Sequence, residues 1–302
     1  MAEITAALVK ELREMTGAGM MECKKALVEA DGDIDKALDV LRTRGLAASS
    51  KKAGRATNEG AVATYVSSCG KRSAMVEVQC ETDFVAMNAT FQEFASKLAE
   101  IAAKADPADV ESFKAVEIAK YVEGIDLETV EDYLKSQIAT IGENMNIARL
   151  VTEYVEGEGN ITSYIHMGGK IGVLVKTEFN NAETAENESF KTFAHDVAMQ
   201  VAASTPMAAR REDIPQSVID HEMEIYKAQA EQSGKPEQIQ HKIAEGRLEK
   251  FYKENILTEQ EFIKDTDLTI AQYKDKVSKE VSDDIQIINF HRFILGEENK
   301  EG

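Results

Sequence analysis

The sequence predicts an α+β protein, an N-terminal three-helix bundle followed by a duplicated sheet-plus-helix core with an antiparallel helical hairpin inserted in it. Three observations predict this. The apolar period is near helical up to Gly45 and becomes two from Ala61. A strand-to-helix junction around residues 78–95 has a counterpart around 173–194. With 4 Pro in 302 residues, 29% charged and 43% hydrophobic, the chain is helix-rich and folded rather than disordered.

Ile4, Leu8, Leu12 and Met15 recur at helical spacing, Thr16-Gly17-Ala18-Gly19 breaks the run, and Met20 to Ala30 resumes it. Asp33 is the expected N-cap of a third helix that sets Ile34, Ala37, Leu38 and Leu41 on one face, with Gly45 as its C′ residue. The small and basic stretch from Ala47 to Gly60 is expected to be a linker. Alternation at Val62, Thr64 and Val66, a turn at Ser68-Cys69-Gly70-Lys71, and alternation at Ala74, Val76, Val78 and Cys80 predict a hairpin. Helices follow at Asn88 to Ala103, with Phe91, Phe94 or Ala95, Leu98, and Ile101 or Ala102 facing inward, and at Leu127 to Ile141. Asn146 to Val155 and Ile161 to Ile165 are expected to pair, and Gly168-Gly169 turns the chain into a strand from Ile171 to Phe179.

Laying Val78–Phe84 over Val173–Phe179, and Asn88–Ala95 over Asn187–Ala194, gives a repeat with a four-residue insertion in its second copy. Two polar helices between Ile214 and Lys253, broken at Ser233-Gly234-Lys235-Pro236, form a hairpin. Its seam is Val218, Met223, Ile225 and Tyr226 against Ile239, Ile243 and Leu248. A helix from Thr269 to Val281, a strand from Ile285 to Leu295 and a charged tail complete the chain. The implied domains are 1–54, 55–155 and 156–302, the hairpin occupying about 214–253.

A net charge of −19 repels phosphate backbones and anionic lipid, so neither a direct nucleic-acid partner nor a membrane is expected. Cys23, Cys69 and Cys80 form no C-x-x-C, which points to a reducing, cytoplasmic compartment without a zinc site. The usual phosphate, dinucleotide, metal and acyl-transfer motifs are missing, Met167-Gly168-Gly169-Lys170 reads as a β-turn, and the five His are scattered. No catalytic residue, metal or cofactor is therefore expected, and an enzyme with an unmarked cleft would need convergent titratable groups that the sequence does not offer. One feature is distinctive. Thr82-Asp83-Phe84-Val85 sets an acid beside a large aromatic at a strand-to-helix junction. Two readings stand open: an interface hot spot, or a Phe84 folded under the helix with Asp83 capping it.

Together with Thr16–Leu27, Ile141–Ile147, Ile171–Val175, Val201–Ser204, Ser233–Pro236 and Glu245–Phe251, that junction resembles the bacterial elongation factor Ts family, guanine-nucleotide exchange factors of the translational GTPase EF-Tu. The resemblance implies that the N-terminal bundle is ubiquitin-associated-like and that the helical hairpin is a coiled-coil protrusion. It implies that Asp83 and Phe84, within Thr82–Val85, push between helices of the GTPase near its magnesium and phosphate site, Asp83 holding the ring in register. Lys10, Arg13, Met20, Met21 and Lys24 match positions that dock on the GTPase domain, and Ile141, Gly142 and His166 match further contacts. The second core half would reach another domain of the partner. Exchange by such a factor involves no covalent chemistry.

Some relatives continue into a further C-terminal helical module where this chain has Gly296 to Gly302, and that contact is expected to be missing. Glu261 stands where relatives commonly show proline, which implies a different turn. Homodimerisation through the protrusion varies across the family and stays open. The rival class is a non-catalytic adaptor that uses the N-terminal bundle to bind another protein.

Overall fold

Three helices, α1 (Ala6–Thr16), α2 (Met20–Glu29) and α3 (Ile34–Lys52), open the chain in the computed structural model, which describes residues 4–297 apart from Gly17, Asp126 and Ser233. Gly17, Ser233 and the tail residues 298–302 lie outside the described residues, and the breaks expected at Thr16–Gly19 and Ser233–Pro236 are seen around them, the flanking helices stopping at Thr16 and Glu231 and resuming at Met20 and Glu237. Leu12, Cys23, Ala26, Leu27 and Ala37 form the centre of the three helices, with Ile4, Leu8, Ile34, Leu38 and Leu41 around them. Met15, placed on the same face by spacing, is exposed at the end of α1. The Asp33 carboxylate accepts from the Lys36 N–H at 3.1 Å, the predicted cap.

Gly45 does not end its helix, and the expected linker is helical as far as Lys52. The reason is tertiary. At Gly45 a Cβ would stand 3.3 Å from the Ala139 Cβ, so the glycine serves a close approach between two helices and not a left-handed cap. Lys52 Nζ then donates to the Ile138 carbonyl at 3.3 Å, which ties α3 to the core.

The core begins with β1 (Glu59–Val66), β2 (Arg72–Cys80), α4 (Asp83–Ala86), α5 (Ala89–Ala105), α6 (Val110–Lys114), α7 (Val130–Ile141) and β3 (Met145–Tyr154). It continues with β4 (Gly159–His166), β5 (Ile171–Glu178), α8 (Glu188–Ser204), α9 (Gln216–Glu231), α10 (Glu237–Asn255), β6 (Glu261–Phe262), β7 (Asp265–Thr269), α11 (Ile270–Val281) and β8 (Gln286–Ile294). Two antiparallel three-stranded sheets run β1-β2-β3 and β4-β5-β8, and β6-β7 is a small ribbon. The expected pairing of β3 with β4 is overturned: β3 pairs with β2, and β4 with β5. Each strand completes the sheet whose central strand offers a free edge, so the link between β3 and β4 passes from one sheet to the other.

Both faces of each sheet are covered. Ala61, Ala74, Val76 and Val78 pack on Phe91, Phe94 and Leu98 of α5. Val62 and Met75 turn the other way, onto Ile161 and Leu174 of the second sheet. Val173 and Val175 face Phe190, Phe193 and Val197 of α8. The layers are therefore helix, sheet, sheet, helix.

The repeat is real, but its register differs from the expected one. Each central strand shifts register at one place, Glu77/Val78 in β2 and Lys176/Thr177 in β5. Asn88 and Asn187 cap α5 and α8, which end at the left-handed residues Asp106 and Thr205. These equivalent positions are all 99 apart (77 to 176, 88 to 187, 106 to 205), so there is no four-residue insertion. Cys80, not Phe84, corresponds to the buried Phe179. Bonds between the halves follow the same rule. Val62 N donates to Gly169 O and Ile161 N to Gly70 O, each at 2.8 Å. Lys71 pairs with Glu158 at 3.0 Å and Lys170 with Glu59 at 2.6 Å. Each bond is the other with the halves exchanged, which describes a pseudo-twofold relation.

Helices α9 and α10 pack antiparallel through Val218, Ile219, Tyr226, Leu248 and Phe251, with Ala230 and Ala244 buried. Ile225 and Ile239, placed in the seam by spacing, are exposed instead. The small alanines occupy the buried positions and let the two backbones approach closely.

A polar seam runs beside the apolar contact of the sheets. Glu153 of β3 lies 3.3 Å from Lys176 Nζ, 3.1 Å from His291 Nε2 and 2.8 Å from Asn289 Nδ2. Burial opposes its ionisation, but the bonds from His291 and Asn289 and the Lys176 charge outweigh it and hold the carboxyl at about 2, below its ordinary 4.5. A depressed folded-state pKa stabilises above the unfolded value and loses that stabilisation as pH falls through the folded one. The gap in melting temperature between the parent and Glu153→Gln is expected to be full above pH 4.5 and to close towards pH 2. Thermal melts across that range check it, and a gap independent of pH would contradict it.

Candidate functional site

The corner from β2 into α4 is built by Thr82, whose extended backbone (φ −128°, ψ 154°) and hydroxyl, accepting from Val85 N at 3.4 Å, make it the N-cap. The expected capping and register role of Asp83 is thus filled by Thr82. The Asp83 carboxylate is exposed and makes no hydrogen bond or ion pair among the described residues. Val85 packs partly against the first-half core and Ala86 is buried. Phe84 is 79% exposed, which excludes the reading in which it folds under the helix.

Met87, three residues on, is 71% exposed and was not singled out by sequence reasoning. Its signal was its spacing from Phe84, one turn along a capped helix. At the equivalent positions of the second half stand Glu183 and Glu186. One scaffold thus carries an exposed Phe and Met in one copy and two acids in the other, so folding does not require the aromatic ring.

The base of the corner is held by charge-assisted hydrogen bonds. Glu143 Oε2 accepts from Glu81 N at 3.1 Å and Thr82 N at 2.9 Å, and its Oε1 accepts from the Thr82 hydroxyl at 2.6 Å. In return Glu81 Oε1 accepts from Asn144 N at 2.6 Å, a bond that holds the Glu81 carboxyl below its usual range, and Arg55 lies 3.3 Å away. Beneath the corner, burial pushes the Cys80 thiol up to about 12, which removes it as a nucleophile at neutral pH. Gly142, at φ 93°, ends α7, and Ile141 packs on the core, so both have local structural roles. Glu143, next in sequence, is not among the residues the sequence marks. Its signal was an acid directly after a helix-ending glycine.

The remaining predicted residues lie elsewhere. Lys10 pairs with Glu14 at 3.5 Å, and Arg13 is exposed on the same helix. Met20 and Met21 are exposed at the start of α2, and Met21 and Lys24 line a shallow groove of about 400 Å³ with Lys25, Val28, Glu29 and Arg44. His166 is exposed at the β4–β5 turn, its Nδ1 3.0 Å from the Tyr164 hydroxyl and its ring stacked on that of Tyr164. Ile141 and Gly142 thus adjoin the Thr82–Val85 corner, whereas no hydrogen bond or ion pair among the described residues joins the α1–α2 positions or His166 to it. Among the described residues there is no cluster of His, Cys, Asp or Glu able to hold a metal, and no helix long and apolar enough to cross a membrane.

A family model described as Elongation factor TS matches residues 81–297, a span that includes the corner and the second half as far as Glu297. Elongation factor Ts of Clostridium kluyveri is 50% identical over 300 residues, covering 99% of this chain and 95% of that relative. The protein of the same description from Trichlorobacter lovleyi is 47% identical with the same coverage, and that of Clostridium tetani is 48% identical, covering 99% and 96%. A family match over more than half of the chain, and near-half identity along nearly all of it, have one reading: the chain belongs to the elongation factor Ts family.

Proposed function

We propose that this chain is a guanine-nucleotide exchange factor of translation elongation, which binds EF-Tu in its GDP form, disturbs the magnesium and phosphate site, and releases GDP so that GTP can enter. The observation that carries the reading is the 79% exposed Phe84 on a braced corner whose twin in the second half has an acid in its place. An exchange factor binds the nucleotide-free GTPase better than the GDP-bound one, and linkage makes GDP weaken its binding by the same factor. A differential affinity of about 5.5 kcal/mol moves such an equilibrium from roughly 1:99 to 99:1, and no covalent step is needed. A ring inserted between packed helices is a suitable source, because packed interiors yield by discrete shifts that displace metal ligands and phosphate loop together.

In this reading Thr82 and Val85 seat the wedge, Asp83 is free to meet the partner, and Met87 widens the apolar contact. Lys10, Arg13, Met20, Met21 and Lys24 dock on the GTPase domain, their charges assisting encounter, and Ile141, Gly142 and His166 add contacts. The organisation proposed with it is a ubiquitin-associated-like unit at 1–54, core halves at 55–155 and 156–302, and a coiled-coil protrusion at about 214–253 that could serve a homodimer. The expected setting is cytoplasmic, without nucleic acid as a direct partner. Stopped-flow release of fluorescent GDP from EF-Tu, with and without the protein, tests the proposal. Acceleration by orders of magnitude is expected, and an unchanged off-rate rejects it.

A further inference from the structure

We propose that Glu143 is a positioning residue for exchange, its carboxylate fixing the direction in which Phe84 projects and stiffening the corner against the load of insertion; this rests on the exchange reading above. Helix α4 has only four residues and little stability of its own, so the corner, not the helix, sets where the ring points. Two consecutive backbone N–H groups, of Glu81 and Thr82, and the Thr82 hydroxyl converge on one carboxylate. Because the Thr82 hydroxyl gives its proton to Glu143, its lone pair is left to accept from Val85 N, the residue after Phe84. The hold of Glu143 therefore passes into the turn that carries the ring. Glu81 returns a bond to Asn144 N, so the two chain segments lock each other.

The second half contains the matching device without the wedge. Asp283, at the position equivalent to Glu143, accepts from Asn180 N at 3.1 Å, Asn181 N at 2.9 Å and the Thr184 hydroxyl at 2.6 Å. Carboxylate bracing is thus part of the duplicated scaffold. What differs is the side chain it presents, Phe84 in one half and Glu183 in the other. Asp283 is for that reason an internal control for loss of stability alone.

The test measures GDP release from EF-Tu over a range of concentrations of the full-length protein, for the parent, Phe84→Ala, Glu143→Ala, Glu143→Gln and Asp283→Ala. Amide hydrogen exchange of each free protein is followed alongside. Glu143→Ala is expected to lower the maximal release rate on the order of tenfold or more while leaving the half-saturating concentration near that of the parent, since misplaced groups cost rate rather than docking. Glu143→Gln, which keeps acceptor oxygen, is expected to fall between, and Asp283→Ala to keep the parental maximal rate. Exchange at the Glu81, Thr82 and Val85 amides should rise in Glu143→Ala while α5 stays protected.

Parental rates from Glu143→Ala beside an impaired Phe84→Ala, or unchanged protection at those amides, overturn the positioning role and leave the exchange reading intact. An equal loss of maximal rate in Asp283→Ala also overturns it, by showing that general destabilisation suffices. If the parent itself does not accelerate release, the exchange reading falls and the positioning role with it.

Discussion

Phe84→Ala is expected to leave the protein folded and to slow its release of GDP from EF-Tu by roughly 30- to 1000-fold, the range of an interface hot-spot truncation of about 2–4 kcal/mol. The asymmetry follows from exposure. A ring that is 79% exposed contributes little packing to its own subunit, so the substitution is expected to move stability by no more than about 0.5 kcal/mol. In the proposed complex the same ring would leave water, which for a Phe side chain is worth about 1.5–3 kcal/mol, and on that reading the gain is realised only in the state where the partner's helices have separated. Phe84→Glu, which installs the residue found at the twin position 183, should be at least as damaging and equally well folded. Circular dichroism melts and stopped-flow release measure the two effects separately. Release at the parental rate by folded Phe84→Ala would end the wedge assignment.

Much of this was legible in the residues. Helical and two-residue periods locate the elements because burial on one face imposes them, and an acid beside an aromatic at a strand-to-helix junction marks the Thr82–Val85 corner but leaves open whether the ring is buried, which its exposure decides. What escaped was non-local. Alternation marks Asn146 to Val155 as a strand but does not name its neighbour, so it points to the next strand in sequence, β4, where the structure pairs β3 with β2. Gly45 has the appearance of a helix stop in sequence, and only Ala139, far along the chain, explains why a glycine sits inside α3. The repeat was misaligned because Phe84 and Phe179 are the same residue type, whereas structural equivalence is set by buried position, which Phe179 shares with Cys80. Glu143 finds its acceptor role 61 and 62 residues from its partners, beyond the reach of any local pattern.

The largest loss of stability is expected from Arg149→Met, at about 3–5 kcal/mol, because it leaves the buried Glu77 carboxyl without its partner cation. Glu77 is 1% exposed and Arg149 7%, and Arg149 Nε donates to Glu77 Oε2 at 2.7 Å. The pair also joins the sheets. Arg149 Nη2 donates to the Ile294 carbonyl at 2.6 Å and its guanidinium lies 4.1 Å from the centre of the Phe293 ring, both on β8, while Gly296 N donates to Glu77 Oε1 at 3.0 Å. Glu77→Gln with Arg149→Met keeps an acceptor for Gly296 and removes the orphaned charge, so the double variant should be more stable than Arg149→Met alone. A urea-melt cycle measures that coupling, and strictly additive losses would show that the two side chains act independently. The twin positions make the same point by contrast: Lys176 stands in place of Glu77 and Asn289 in place of Arg149. Lys176 lies 3.3 Å from Glu153 of β3 and 4.0 Å from Glu178 of its own strand, so the second half reaches across the seam as Arg149 does from the first.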